Sequence, residues 1–132
     1  QDYDKRAKYL LYSIDANNIF LWGHSMGGAG TYHLGMEHPE LWKALALAAP
    51  APPQVRDVKD LRIIEDIPIL VLQGTEDRLV YPTREWVAEM KRLEMNYIYD
   101  EIVGADHSFF VSKNKENMKK IFDFFAEHRD QG

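Results

Sequence analysis

The chain has 132 residues, of which 45% are hydrophobic and 28% are charged, and its formal net charge is −5 at pH 7. Such values are typical of one globular domain whose core needs neither a metal nor a disulfide to form. The absence of cysteine excludes disulfide frameworks and cysteine nucleophiles but leaves the cellular compartment open. Acidic and basic residues are interleaved and no apolar run reaches the roughly 18 residues of a membrane span, so we expect neither a nucleic-acid partner nor a membrane partner.

The first half of the chain predicts two helices and two strands. Apolar residues at helical spacing over residues 3–14 indicate a helix. The apolar run at residues 19–22 indicates a strand buried on both faces, as in a parallel sheet. A glycine-rich helix is expected over residues 27–38, and a second strand at residues 44–49 precedes a proline-rich loop at residues 50–53.

The second half of the chain continues this alternation. The apolar run at residues 69–72 predicts a third buried strand, and an amphipathic helix with Pro82 in its first turn follows. Residues 96–103 predict a fourth strand, and the last helix is expected to have Ser112 or Asn114 as its N-cap. Strands that alternate with helices in this way predict a single α/β domain, a three-layer αβα arrangement with a mostly parallel sheet.

A serine lies between two glycines directly after the first predicted strand. The run Gly23-His24-Ser25-Met26-Gly27 has the Gly-x-Ser-x-Gly pattern and opens a helix, the strand–turn–helix setting in which such a serine is a nucleophile. A Cβ at Gly23 or Gly27 is expected to crowd the turn. The backbone N–H of Met26 is expected to donate to an oxyanion. The alternative interpretation is that these residues only build a tight turn.

The helix after this serine contains four glycines, Gly27, Gly28, Gly30 and Gly35. Each interior glycine costs a helix about 1 kcal/mol relative to alanine. We therefore expect the helix to pack closely on its strands, with its N-terminus and free N–H groups beneath the reacting oxygen.

A serine nucleophile needs a histidine base and a carboxylate that orients the histidine. The segment after the third predicted strand contains Glu76 and Asp77, and the segment after the fourth contains Asp106 and His107. Both segments follow the carboxyl ends of strands, where open α/β sheets collect their functional residues. Glu76, Asp77 and Asp106 are the candidate acids, and Asp106 is disfavoured because it adjoins the base.

The other aromatic and imidazole side chains near these motifs have simpler interpretations. His24 adjoins the serine, and we expect it to pack or to support the site rather than to act as the base. Trp22, Trp42 and Trp86 are expected in the core.

Three motifs together resemble the α/β-hydrolase superfamily, in particular its esterases and predicted peptidases related to feruloyl esterases and dienelactone hydrolases. They are Gly-His-Ser-Met-Gly-Gly at residues 23–28, Gly-Thr-Glu-Asp-x-x-Val-x-Pro at residues 74–82 and Gly-Ala-Asp-His at residues 104–107. In this resemblance Asp77 takes the family's acid position and His107 its histidine position.

The resemblance implies a serine hydrolase in which Ser25 attacks the substrate, His107 is the base and Asp77 orients the base. No metal or organic cofactor is required. The implied substrate is a small-molecule or polymer-linked carboxylic ester. Two alternatives share the same motifs: a serine peptidase of the prolyl-oligopeptidase-like branch, and a non-catalytic module on a hydrolase scaffold.

The resemblance covers only the C-terminal half of the family's fold. The sequence starts at Gln1 and enters a helical pattern at once, so we expect it to be cut from a longer chain. The family's second oxyanion donor comes from a loop after an earlier strand, and no strand is predicted before Ile19. We therefore expect a first strand with an exposed edge, able to pair with another chain as in a homo-oligomer, and weak or absent activity for these residues alone.

Overall fold

Four parallel strands form the sheet in the computed structural model, which describes residues 16–130. Each strand pairs in parallel with its neighbour in the chain. The strands, in the same order in the sheet as in the chain, are β1 (Phe20–His24), β2 (Ala44–Ala48), β3 (Ile69–Gly74) and β4 (Tyr97–Ile102). The predicted parallel sheet is confirmed.

Helices connect the strands and follow the last of them. In chain order the described helices are α1 (Met26–Glu37), a 3-10 helix (Val58–Ile64), α2 (Val80–Arg92), α3 (Phe109–Ser112) and α4 (Asn114–Glu127). Pro82 lies in the first turn of α2, as expected. The helix predicted at residues 3–14 lies outside the described residues. Within the described part of the chain, no helix is both long and apolar enough to cross a bilayer.

Side chains of successive strand residues point to opposite faces of the sheet, and each face has its own apolar layer. On one face, the larger side chains of β2 and β3 contact α1, the 3-10 helix and α2 in a cluster that includes Leu45, Ile69 and Trp86. On the other face, the alanines of β2 leave room for the phenylalanines of α3 and α4, among them Phe110 and Phe124. The predicted three-layer αβα arrangement is therefore confirmed.

The first strand is not buried on both faces, contrary to the prediction. Among the described strands β1 pairs only with β2, so it is an edge strand. Trp22, in the middle of β1, is 39% exposed and does not belong to the core. The predictions for the other tryptophans are confirmed, since Trp86 is buried and Trp42 packs against the same cluster. An apolar run alone does not distinguish an edge strand from a central one.

The N-cap predicted for the last helix is wrong. α4 begins at Asn114 with Lys113 in the N-cap position, and no side chain caps it. Ser112 is the last residue of α3, and its Oγ donates to the Phe109 carbonyl at 3.2 Å. The serine that was expected to cap α4 therefore bonds to a backbone carbonyl of the one-turn helix α3.

Candidate active site

Ser25 lies at a sharp turn between β1 and α1. Its backbone has φ 60° and ψ −115°, a left-handed conformation that is uncommon for a residue with a Cβ and costs about 1–3 kcal/mol. The Ser25 N–H donates to the Ala48 carbonyl at 2.9 Å, and the Ser25 carbonyl accepts the Ala51 N–H at 2.9 Å. Because the Ser25 side chain makes no capping hydrogen bond to α1, its hydroxyl is available to other groups.

The two glycines that flank Ser25 are not equivalent. A Cβ at Gly23 would lie 2.0 Å from the Gly27 carbonyl oxygen and 2.6 Å from Thr31 Oγ1. A Cβ at Gly27 would meet no described atom within 4 Å. The predicted crowding is therefore confirmed for Gly23 and wrong for Gly27, because it is the backbone of Gly27 that fills the space beside Gly23.

The glycines inside α1 divide in the same way. A Cβ at Gly28 would lie 2.7 Å from Pro50 Cα, and a Cβ at Gly35 would lie 2.9 Å from Leu45 Cδ1. A Cβ at Gly30 would meet no described atom within 4 Å. The expected close packing of α1 on its strands is confirmed at Gly35, which faces Leu45 of β2, and at Gly28, which faces Pro50 just after β2. The prediction is wrong for Gly30.

The side chains of Ser25, Asp77 and His107 meet at the carboxyl edge of the sheet. His107 Nε2 lies 3.0 Å from Ser25 Oγ, and His107 Nδ1 lies 2.6 Å from Asp77 Oδ2. In such a chain of contacts the imidazole can take the hydroxyl proton, while the carboxylate favours the tautomer that carries its proton on Nδ1. The structure thus brings together the three side chains that the sequence motifs single out.

Asp77 is held firmly on the buried side of this chain of contacts. Its side chain is 4% exposed. One carboxylate oxygen, Oδ1, accepts the Leu79 N–H at 2.9 Å, and the other faces His107. The Asp77 carbonyl accepts the Val80 N–H at 2.9 Å, which ties the residue to the first turn of α2. A buried carboxylate with both oxygens engaged has little freedom to leave the histidine.

The loops that carry Asp77 and His107 are tied to each other. Thr75 Oγ1 accepts the Gly104 N–H at 2.8 Å. The Glu76 N–H donates to the Ala105 carbonyl at 2.8 Å. A Cβ at Gly74 would lie 2.3 Å from that same carbonyl oxygen, so only glycine permits the approach. The acid and the histidine therefore sit on loops that pack as one unit.

The two other candidate acids are engaged elsewhere. Asp106 Oδ1 accepts the Ser108 N–H at 3.1 Å and the Ser108 hydroxyl at 2.7 Å. These hydrogen bonds hold the pKa of Asp106 below its usual range, and the bond from the Ser108 hydroxyl has the largest effect. Glu76 Oε2 accepts the Thr75 hydroxyl at 3.4 Å. Of the three candidates, Asp77 is the one whose carboxylate is bonded to His107.

His24 packs beside the histidine of the site. Its ring stacks on that of His107, with centroids 5.2 Å apart and planes at 22°. It also stacks on Phe110, with centroids 4.7 Å apart and planes at 16°. Burial lowers the pKa of His24, and the neighbouring His107 lowers it further. The expected packing role fits these contacts, but no pattern in the sequence indicated that Phe110 belongs to this part of the molecule.

Met26 is the first residue of α1, and its side chain is 81% exposed. A first helical position has no acceptor for its N–H inside the helix, and the helix N-terminus carries partial positive charge. These properties suit an oxyanion donor next to Ser25, and that role stays a prediction. The described residues contain no cluster of three or more histidine, cysteine, aspartate or glutamate side chains that could hold a metal ion.

The first half of the sequence matches a known family. A family model described as serine aminopeptidase, S33, matches residues 2–63. This stretch contains Ser25 but ends before Asp77 and His107. No curated protein sequence matches the chain significantly.

Solved structures resemble a larger part of the chain. A thermostable esterase has 29% sequence identity and a TM-score of 0.76 over 96% of this chain and 35% of its own. SOBER1 of Arabidopsis thaliana has 19% identity and a TM-score of 0.73 over 95% of this chain and 60% of its own. FphF, a fluorophosphonate-binding serine hydrolase of Staphylococcus aureus, has 14% identity and a TM-score of 0.70 over 98% of this chain and 63% of its own. The two latter likenesses concern the fold alone, and the chain spans less than two thirds of each of the three structures.

Proposed function

We propose that this chain, which has the fold of α/β hydrolases and matches a serine aminopeptidase family model over residues 2–63, carries the catalytic residues of a serine hydrolase that cleaves carboxylic esters. The observation that supports this most directly is the hydrogen-bonded chain from Ser25 through His107 to Asp77. The 29% identity with a thermostable esterase supports the choice of ester substrates. Small-molecule esters and esters linked to a polymer both remain in the proposed class.

In the proposed reaction, Ser25 Oγ attacks the ester carbonyl carbon as His107 Nε2 takes the hydroxyl proton. The carbonyl oxygen becomes an oxyanion, which the Met26 N–H stabilises. His107 then returns the proton to the leaving alcohol, and an acyl ester remains on Ser25. Water repeats the sequence with His107 as base and releases the acid. Asp77 stabilises the imidazolium that forms twice in each cycle.

We propose that these residues supply one oxyanion donor and one side of the site. Residues N-terminal to them in the complete protein supply the second donor and the other side. Among the described strands, β1 has one edge without a partner strand, and a further parallel strand can pair there. A Cβ at Gly27 or Gly30 would meet no atom of residues 16–130 within 4 Å, which leaves room for another segment beside α1. The alternative is that a second copy of the chain pairs with this edge. The complete protein is therefore expected to be the efficient enzyme.

A peptidase is the second candidate. The family model that matches residues 2–63 is described as a serine aminopeptidase. The same serine, histidine and aspartate can cleave an amide, provided that the site protonates the poorer leaving group and binds an N-terminal amine. Ester hydrolysis is preferred because the esterase likeness covers 96% of the chain, whereas the family match stops before the acid and the histidine.

The two candidates separate in one experiment on the full-length protein. Hydrolysis of a p-nitrophenyl ester is compared with hydrolysis of aminoacyl p-nitroanilides, each with the wild type and with Ser25→Ala. Ester turnover that Ser25→Ala abolishes, with little anilide turnover, supports the esterase. The opposite preference supports the peptidase, and no Ser25-dependent turnover of either substrate contradicts both.

A further inference from the structure

We propose that His24 is a positioning residue, which holds the His107 ring in the plane that Ser25 and Asp77 require. The proposal rests on the proposed function, since it concerns the base of that reaction. His24 itself has no contact with the reacting atoms in this role. It acts through the ring of His107.

The ring of His107 is joined to the backbone through two torsions, which its contacts must hold. Both of its hydrogen bonds are made at the ring edge, from Nε2 to Ser25 and from Nδ1 to Asp77. Rotation about the Cα–Cβ and Cβ–Cγ bonds would swing both nitrogens away from these partners, and the Cβ–Cγ torsion of histidine is broad. The His107 side chain is 46% exposed, so solvent does not restrain it. A contact on the face of the ring restricts that swing whenever either hydrogen bond is stretched or broken.

His24 supplies such a contact, and it is itself held in place. Its ring lies nearly parallel to that of His107, at 22°, and nearly parallel to that of Phe110, at 16°. Phe110 is buried in the apolar layer under α3 and α4 and also contacts Trp22 of β1, with centroids 5.9 Å apart. The ring of His107 is thus held through His24 and Phe110 by the core.

The position of His24 in the chain also ties the base to the nucleophile. His24 is the last residue of β1, and Ser25 follows it directly. The β1 backbone pairs His24 with Ala48, and the Ser25 N–H bonds to the Ala48 carbonyl. One rigid strand end therefore carries both the attacking hydroxyl and the ring against which the base stacks. A displacement of this strand moves both together, which preserves their distance.

The electrostatics of the pair favour a neutral His24. Burial lowers its pKa first, and the charge of His107 lowers it further, while Asp77 and the His107 backbone act in the opposite direction. When His107 takes the serine proton, its imidazolium therefore faces a neutral ring rather than a second cation. The face of a neutral aromatic ring attracts a cation. Nε2 of His24 is buried and has no hydrogen-bond partner in the described part of the chain. The face of the His24 ring is the feature that meets the ring of His107.

The test compares three substitutions at position 24 of the full-length protein with a matched control. His24→Ala removes the ring, His24→Leu removes it while keeping most of the volume, and His24→Phe keeps a ring. The control is His38→Ala, at a histidine that is 54% exposed and pairs only weakly with Glu40 at 3.7 Å. The readouts are kcat and KM for a p-nitrophenyl ester, and the NMR signal of the His107 Nδ1 proton without substrate.

We expect the ring-free variants to lose about 10- to 100-fold in kcat with little change in KM, because a misplaced base acts on the transition state. His24→Phe is expected to restore most of that loss and to retain the Nδ1 proton signal. Two results would overturn the proposal: a folded ring-free variant with wild-type kcat and signal, or equal losses in His24→Phe and His24→Leu. The NMR signal requires no ester turnover, so it decides the positioning role even if the proposed function is wrong.

Discussion

His107 Nε2 lies 3.0 Å from Ser25 Oγ, although 82 residues separate them in the chain and the strands that precede them form opposite edges of the described sheet. Three strand spacings of about 4.8 Å put β1 and β4 roughly 14 Å apart. The loop after β4 must therefore cross the carboxyl ends of β3 and β2 to bring the histidine to the serine. The hydrogen bond from the Glu76 N–H to the Ala105 carbonyl fixes that loop against the loop that follows β3.

Replacing Asp77 tests which carboxylate orients the base. Asp77→Asn keeps the shape of the side chain but removes the charge that favours the reactive tautomer, so we expect kcat to fall about 1,000- to 10,000-fold. Asp106→Asn is the matched control, because Asp106 is exposed and bonded to Ser108. Steady-state hydrolysis of a p-nitrophenyl ester measures both. A larger loss in Asp106→Asn than in Asp77→Asn would contradict the assignment of the acid.

Alanine at the two glycines that flank Ser25 is expected to have opposite effects on folding. Gly23→Ala places a Cβ 2.0 Å from a carbonyl oxygen, so we expect a large fall in the unfolding temperature or no folded protein. Gly27→Ala meets no described atom and adds helix propensity, so it is expected to be neutral or stabilising by up to about 1 kcal/mol. Thermal unfolding of both variants is the measurement. Equal unfolding temperatures would show that the crowding beside Gly23 is not real.

The ion pair between Arg84 and Glu101 predicts a pH-dependent contribution to stability. The hydrogen bond from Arg84 holds the pKa of Glu101 below its ordinary value of 4.5, and the hydrogen bond from Tyr99 has the next largest effect in the same direction. A lowered carboxyl pKa stabilises the fold above the pKa of the unfolded chain, and this stabilisation is lost as the pH falls through the lower folded value. We expect Glu101→Gln to lower the unfolding temperature by roughly 1–4 °C at pH 7, with the difference shrinking below pH 4.5.

A thermodynamic cycle supplies the control for this pair. In an Arg84→Met background the partner is already absent, so Glu101→Gln is expected to change the unfolding temperature less than it does in the wild type. Unfolding curves at several pH values give all four corners of the cycle. A full effect of Glu101→Gln in the Arg84→Met background would assign the stabilisation to Tyr99 instead.

Activity is expected to depend on more than these 132 residues. Loss of one oxyanion donor costs about 100- to 1,000-fold in kcat, and loss of part of the substrate pocket costs more. We therefore expect the isolated residues 1–132 to hydrolyse a p-nitrophenyl ester at least 100-fold more slowly than the full-length protein. A comparable rate for the two, abolished by Ser25→Ala in each, would contradict the proposal that part of the site lies elsewhere.

The strands, the main helices and the three side chains of the site could be predicted from the sequence because their signals are local. Ser25 directly follows β1, and Asp77 and His107 lie in the loops that follow β3 and β4. The carboxyl ends of parallel strands share one edge of the sheet. The exposure of Trp22 was missed because an apolar run is also typical of a strand that is covered on both faces. The contact of Phe110 with His24 joins residues far apart in the chain, and no local pattern marks it.

The central claim is that Ser25 is a nucleophile activated by His107. The most direct measurement is labelling of the full-length protein with a fluorophosphonate, followed by peptide mapping by mass spectrometry. The predicted result is one phosphonate adduct on Ser25, absent from Ser25→Ala and formed much more slowly in His107→Ala. An adduct on another residue, or none in the folded full-length protein, would contradict the claim.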